Sequence, residues 1–247
     1  MKPVALVPVY NHAATVGSVV QALHDLALPV ILIDDGSEAE CASVLDSLAT
    51  APETSLLRLP VNGGKGVAVM AGLREAHARG YSHALQVDAD GQHEAAALPV
   101  FLAAMSDAPQ AVIVGFPRYD ASVPASRLFG RYATHIWVWI NTLSRRIRDS
   151  MCGLRIYPLA ATLPVLDTMP SQSRMEFDTE ILVRLDWAGV PLRNLPVAVR
   201  YPQGGTSHFR LCRDNVRISW MHTRLFFGML RRLPRLIGRH FSSREAC

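Results

Sequence analysis

The 247-residue sequence has only four cysteines, Cys41, Cys152, Cys212 and Cys247, far apart and without a CxxC pair. That spacing indicates neither a zinc ribbon nor a disulfide framework and reads as reduced thiols. Long apolar runs are missing as well: no window of ~18 residues is apolar and free of charge, so no membrane span is expected. The opening Met-Lys-Pro-Val-Ala-Leu-Val-Pro is too short for the apolar region of a secretion signal and has no cleavage motif. Neither Gly-x-x-x-x-Gly-Lys-Ser/Thr nor Gly-x-Gly-x-x-Gly occurs, which leaves no P-loop and no dinucleotide fingerprint. Acidic residues thin out at one end. Residues 193–247 carry eleven Arg against Asp214 and Glu245, a local charge of +9 in a chain of net +4, so residues 1–192 are at −5. Such an end suits an anionic surface: phospholipid, nucleic acid or an acidic partner. What is plentiful is apolar: 49% hydrophobic against 19% charged residues, enough for a substantial core. The length fits one large α/β domain, with or without an appendage.

The chemistry gathers at Leu85-Gln86-Val87-Asp88-Ala89-Asp90-Gly91-Gln92-His93. An apolar run from Ala84 to Val87 reads as the end of a buried strand. In extended backbone the side chains at i and i+2 share a face, which would place Asp88 and Asp90 together. Two carboxylates so close resist ionising, and a divalent cation removes the conflict. Carboxylates with an amide, here Gln92, suit Mg2+ or Mn2+, with substrate phosphates completing the shell. The alternative is an ordinary Asp-Gly turn.

The chain before this stretch alternates. Val4 to Val9 is a strand that ends in Pro8-Val9-Tyr10-Asn11, and Val16, Val19, Val20 and Leu23 give helical spacing over Thr15 to Leu26, with Thr15 as N-cap. A second strand, Pro29 to Ile33, runs into Asp34-Asp35-Gly36-Ser37. Next come a helix over Glu38 to Thr50, a strand over Ser55 to Leu59, the loop Asn62-Gly63-Gly64-Lys65-Gly66 and a helix to Ala78. This order predicts a mostly parallel sheet with helices on both faces, whose ligands bind beyond the carboxyl ends of the strands. Three polar clusters lie at those ends. Gly64 and Lys65, beside backbone amides at a helix start, suit an anion, although the glycines could simply make a tight turn. Asp35 is either a helix cap or an acceptor for base or ribose hydrogens.

The ordered set Pro8-Val9-Tyr10-Asn11, Ile33-Asp34-Asp35-Gly36-Ser37, Gly64-Lys65-Gly66 and Asp88-Ala89-Asp90-Gly91-Gln92 resembles glycosyltransferase family 2, closest to the dolichyl- or polyprenyl-phosphate mannose synthase type. The resemblance covers residues 3–210. It implies a GT-A fold, a nucleotide-sugar donor (UDP- or GDP-sugar), a divalent metal and inversion at the anomeric carbon. It places Pro8, Tyr10, Asn11 and Asp35 at the nucleoside, Asp88 at metal and diphosphate, and Asp90 and Gln92 at the metal. Asp149 to Tyr157 is similar to the family's segment near the acceptor and offers Arg155 as a phosphate contact. Glu176-Phe177-Asp178-Thr179-Glu180 is similar to the acidic helix start that follows, so Glu176 or Asp178 is the expected general base if the acceptor is a hydroxyl. A lipid phosphate acceptor would need none. Gly205-Thr206-Ser207-His208 resembles the closing motif but has His208 for Lys and Pro202 for Arg. Arg127 and Arg131 are further phosphate candidates or plain solvated residues. The run Tyr201 to Leu230 is similar to glycosyltransferases of bacterial aryl-polyene clusters.

Two stretches read as interfacial. Arg127 to Arg148 interleaves Phe129, Ile136, Trp137, Trp139, Ile140 and Leu143 with arginines. Met221, Leu225, Met229, Leu233 and Ile237 form an i, i+4 row among Arg224, Arg231, Arg232, Arg235 and Arg239, broken near Pro234. A basic amphipathic helix of this kind lies on a bilayer or packs on a core. The expectation is a glycosyltransferase domain over 1–210 with a basic amphipathic helical tail over 211–247. It would be cytoplasmic and peripheral on the inner face of the cell membrane, with a lipid or lipid-phosphate acceptor, an anionic membrane surface as partner and no nucleic acid. The competing readings are a sugar nucleotidyltransferase, against which stands the missing Gly-x-Gly-x-Arg opening, and a non-catalytic nucleotide-sugar-binding membrane protein.

Overall fold

Apolar residues alternate between two faces of each strand, and that alternation builds two cores. The structure, a computed structural model, describes residues 1–91, 95–118, 125–171, 174–198 and 211–242. In β1 (Pro3–Val9), Val4 and Leu6 belong to one core and Ala5, Val7 and Val9 to the other, as the two-residue repeat of a strand requires. The chain continues through α1 (Ala13–His24), β2 (Val30–Asp34), α2 (Ala39–Leu48), β3 (Thr54–Arg58), α3 (Lys65–Ala78), β4 (His83–Gln86), α4 (Ala97–Asp107) and β5 (Val112–Arg118). It goes on through α5 (Ala125–Thr142), β6 (Arg155–Pro158), α6 (Leu159–Leu166), α7 (Phe177–Trp187), β7 (Leu192–Ala198), α8 (Leu211–Leu230) and α9 (Leu233–Ser242).

The seven strands form one sheet in the order β3-β2-β1-β4-β6-β5-β7. β1, β2, β3 and β4 pair in parallel, as do β5 and β7, while β6 runs antiparallel between β4 and β5. One edge of the sheet therefore collects the loops that leave β1 to β5 and β7, together with the loop that enters β6. Helices α1, α2 and α4 cover one face and α3, α6, α7 and α8 the other. Sheets buried on both faces read as near-continuous apolar runs, which is why strands β1, β2 and β4 stand out in the sequence.

Two expectations change here. Thr15 is not an N-cap: α1 starts at Ala13 behind His12. The Thr15 hydroxyl instead donates to Ala89 O at 2.6 Å, tying α1 to the Asp88–Gly91 loop. The Met221-Leu225-Met229 row does not face outward either. These residues are 0%, 1% and 4% exposed and fill the core shared with α7. The chain turns between α8 and α9, with Pro234 in the first turn of α9, where a proline costs no helix hydrogen bond. The new helix buries Leu236 and leaves Ile237 exposed. Part of the basic charge is also internal. Glu180 and Asp186 of α7 are fully buried and accept ion pairs from Arg184 and Arg224, and from Arg146 and Arg239, at 2.7–3.0 Å. Arg232 lies over the Trp187 ring.

Between α5 and α8, His222 is buried, stacks on Trp137 and accepts at Nδ1 from Asn141 Nδ2 at 3.3 Å. Its Nε2 has no partner among the described residues. Burial without an acidic partner pushes the imidazole down to about 4. Because the folded value is depressed, the unfolded chain binds the proton first. The contribution is whole above ~6.5 and is lost as pH falls toward 4, with a ceiling of about 3 kcal/mol. Denaturant melts of wild type and His222→Gln across this window should show the wild type losing more stability on acidification. Parallel pH profiles would refute the assignment.

Candidate active site

Three loops meet at the carboxyl edge of the sheet, and each is held by side chains whose own polar atoms are already engaged. Asn11, in the left-handed region at φ 58°, accepts at Oδ1 from Glu38 N (2.8 Å), and its N–H donates to Ser37 Oγ (3.2 Å), stapling the loop after β1 to the one after β2. Asn adopts this conformation more readily than most residues. Pro8 is half-buried opposite Ile33, and Tyr10, also half-buried, lies just beyond the strand end.

Asp35 is 3% exposed. Its Oδ1 accepts from Gly63 N at 2.7 Å, and its Oδ2 from Gly64 N at 2.8 Å and Asn62 Nδ2 at 3.1 Å. Burial raises its pKa, with the two backbone hydrogen bonds opposing. The carboxylate read from the sequence as a nucleoside acceptor thus also holds the Asn62–Gly64 loop, with acceptor capacity left on Oδ1. Gly66 N is also taken, donating to Arg174 O at 3.1 Å. In this state the amides of Gly63, Gly64 and Gly66 at the helix start are engaged within the protein. Arg174, which no pattern in the sequence singled out, donates to Asn62 Oδ1 (2.8 Å) and Asn62 O (3.0 Å). Gly64, at φ 94°, sits so close that a Cβ there would lie 2.4 Å from Arg174 Cγ.

Lys65 occupies the centre. Its Nζ is 2.8 and 2.9 Å from the two Asp88 oxygens and 2.8 Å from Asp178 Oδ2. Those two carboxylates raise the ammonium's pKa even though burial opposes it. Below Asp88 lies Gly153: a Cβ there would stand 2.0 Å from Asp88 Oδ2. The glycine makes the floor on which the Asp88 carboxylate rests.

β4 ends at Gln86, and Ala89-Asp90 form a turn into Gly91 (φ 68°), so Asp88 and Asp90 are not on one extended segment as the sequence suggested. Gln92 and His208 lie outside the described residues, as does the side chain of Arg127. Among the described residues no three His, Cys, Asp or Glu side chains converge on a metal position. The donors still fit a hard cation: a positive charge, the Lys65 ammonium, already sits on Asp88, and phosphate oxygens complete such shells.

Asp178 is the hub of a buried polar network. Its Oδ1 accepts from Gln86 Nε2 at 3.3 Å, Gln86 Oε1 accepts from Tyr157 OH at 3.2 Å, and Lys65 takes Oδ2. Arg155 is fully buried and donates to the carbonyls of Ser150, Cys152 and Asp178 at 2.6–2.8 Å. It therefore sets the loop into β6, and in this state none of its side chain is exposed. Arg131 is likewise occupied: it binds Asp149 in a bidentate pair at 2.6 and 2.7 Å, which with His135 holds the Asp149 carboxyl well below its usual range. Of the two base candidates, Asp178 has both oxygens engaged, whereas Glu176, 8% exposed, has an Oε2 without a hydrogen-bond partner among the described residues.

The comparison with known families decides what this edge belongs to. The model of glycosyl transferase family 2 matches residues 4–161, more than half of the chain. The chain belongs to glycosyl transferase family 2. It is similar to the undecaprenyl-phosphate mannosyltransferase of Micrococcus luteus, 27% identical over 206 residues, covering 80% of this chain and 83% of the relative. The dolichyl-phosphate beta-glucosyltransferase of Dictyostelium discoideum is 27% identical over 211 residues, covering 78% of this chain and 63% of that one. Glucosyl-3-phosphoglycerate synthase from Mycobacterium tuberculosis, solved with Mn2+ and uridine-diphosphate-glucose, shares the fold at TM-score 0.64 and 15% identity, over 92% of this chain and 78% of that one. The sheet is thus the GT-A fold, and this family 2 protein is a glycosyltransferase.

Proposed function

We propose that this glycosyltransferase moves a sugar, with inversion, from a nucleotide-sugar donor to a polyprenyl-phosphate or related lipid-linked acceptor at an anionic membrane surface. The observation that carries the reading is the Asp88–Lys65–Asp178 cluster on the Gly153 floor, at the sheet edge where α/β proteins bind ligands. Asp88 and Asp90, with Gln92, would hold Mg2+ or Mn2+, which when bound supplies positive charge to the departing diphosphate. The chain's own residues do the rest. Asp35 and Arg174 fix the Asn62–Gly64 loop, Arg155 fixes the loop before β6, and Lys65 adds positive charge beside the diphosphate position. Tyr10 and Pro8, at the end of β1, would border the nucleoside. The relatives that act on undecaprenyl and dolichyl phosphate support the acceptor class.

Transfer from UDP- and GDP-sugars should require Mn2+ or Mg2+ and a polyprenyl phosphate, and Asp90→Asn should abolish it, with at least a 100-fold loss, while leaving the melting curve in place. Unchanged transfer by a folded Asp90→Asn protein would sink the metal assignment. A hydroxyl acceptor is the second reading, favoured by the buried Glu176 Oε2, which has no hydrogen-bond partner among the described residues. Glu176→Gln should then lower turnover roughly 100-fold or more, whereas an ionised phosphate acceptor would leave it nearly unaffected.

No helix among the described residues is long and apolar enough to cross a membrane. The lipid-facing element of the proposal is therefore a surface. Tyr132, Ile136 and Ile140 on α5, and Val216, Trp220 and Phe227 on α8, are exposed. Trp137, Phe226 and Phe227 link the two helices ring to ring. Exposed arginines follow along the C-terminal stretch: Arg213 on α8, Arg231 in the turn after it and Arg235 on α9.

A further inference from the structure

The Lys65 ammonium stands at 2.8 Å from carboxylates on two different segments, one of them a metal-ligand candidate. It is only partly exposed, at 18% of its side chain, and the Asp178 end of its clamp is fixed by Gln86 and the buried Arg155. Two like charges held this close destabilise each other unless a cation lies between them, and Lys65, 2.8 Å from both, is that cation in the donor-free protein. A divalent ion approaching Asp88 meets a site already neutralised. A nucleoside diphosphate changes the balance, because its oxygens offer the ammonium another anionic partner and free Asp88 for the metal.

We propose that Lys65 is a resident counter-cation that keeps metal affinity low until the donor's diphosphate arrives, so that divalent metal and nucleotide bind cooperatively. This rests on the glycosyltransferase reading above. Lys65 on this view acts twice, on Asp88 in the donor-free protein and on the diphosphate once the donor is bound. The coupling is reciprocal: whatever factor the nucleotide adds to metal affinity, the metal adds to nucleotide affinity.

Free Mn2+ measured by electron paramagnetic resonance separates this role from a structural one, with no turnover needed. Lys65→Met removes the charge and keeps the length. Mn2+ alone should bind this variant about tenfold or more tighter than wild type, while UDP or GDP should strengthen Mn2+ binding far less than it does in wild type. Mn2+ should also raise the variant's melting temperature more than the wild type's. An unchanged or weaker Mn2+ affinity in Lys65→Met would overturn the proposal, because a purely structural lysine predicts that result. Wild type supplies a test independent of the variant's folding: Mn2+ must bind weakly alone and at least tenfold tighter with saturating UDP or GDP. Equal affinity with and without a nucleotide that itself binds the protein would overturn the proposal. If neither nucleotide binds wild type under any condition but Lys65→Met still gains Mn2+ affinity, the donor reading fails and the counter-cation role stands.

Discussion

Gly153→Ala is expected to lower sugar transfer by about 100-fold or more while the protein keeps its fold. The added Cβ would lie 2.0 Å from Asp88 Oδ2, 2.4 Å from its Cγ and 2.6 Å from its Oδ1, all far inside van der Waals contact. Something must move, and the Asp88 side chain is 21% exposed, whereas Cys152 and Leu154, which flank Gly153, are buried in the core. The carboxylate would swing away from Lys65 and from the position a metal ligand needs. Misplacement by ~1 Å costs on the order of 100-fold in rate, and here the displacement is larger. Stability should fall modestly, because the moving group rotates toward solvent and no apolar contact is deleted. Circular dichroism with thermal melts, run beside a transfer assay, checks both halves. Near-wild-type transfer in the folded variant would show that Asp88 does not work from its observed position.

Much of the sheet was legible because its strands are buried on both faces and their apolar runs end in polar clusters. The three clusters do meet at one edge, as the alternation of strands and helices required. What the sequence could not show is which polar atoms the protein itself consumes. Asp35, Asn11 and Arg155 carry ligand-binding chemistry in isolation, yet each is also held by a distant partner: Asp178 O lies 23 residues from Arg155, the glycine loop 28 and 29 from Asp35, and Ser37 and Glu38 26 and 27 from Asn11. Local spacing holds no record of such partners. Gly153 sits inside a motif that the sequence reading quoted, but its reason, the close approach of Asp88, is purely tertiary. Arg174, three residues before α7, belongs to no periodic pattern, so only the loop it binds reveals it. The C-terminal helices show the same limit from the apolar side. Periodicity identified the Met221-Leu225-Met229 face correctly as apolar but does not distinguish lipid from protein as its partner.

That last point fixes how the membrane proposal must be tested. Deleting the chain from Ser219 would remove Met221, Leu225, Met229 and Leu236 from the core, together with the Arg224 and Arg239 partners of buried Glu180 and Asp186. Loss of vesicle binding by such a deletion would report unfolding. Trp220 and Phe227 offer a cleaner route, since they are 63% and 58% exposed and belong to the opposite side of α8. Burying an aromatic side chain is worth about 1.5–3 kcal/mol, so Trp220→Ser with Phe227→Ser should weaken binding to phosphatidylglycerol-rich vesicles by roughly 100-fold or more. Arg231→Gln with Arg235→Gln should remove about 1 kcal/mol per charge, and the residual binding should lose part of its salt dependence. Both pairs should melt like wild type, because neither takes a residue from the core. Donor hydrolysis in solution should persist in both, and transfer to polyprenyl phosphate in vesicles should fall with the binding. Flotation at low and high salt decides the matter: if the aromatic pair floats as wild type does, α5 and α8 do not present a lipid-facing surface.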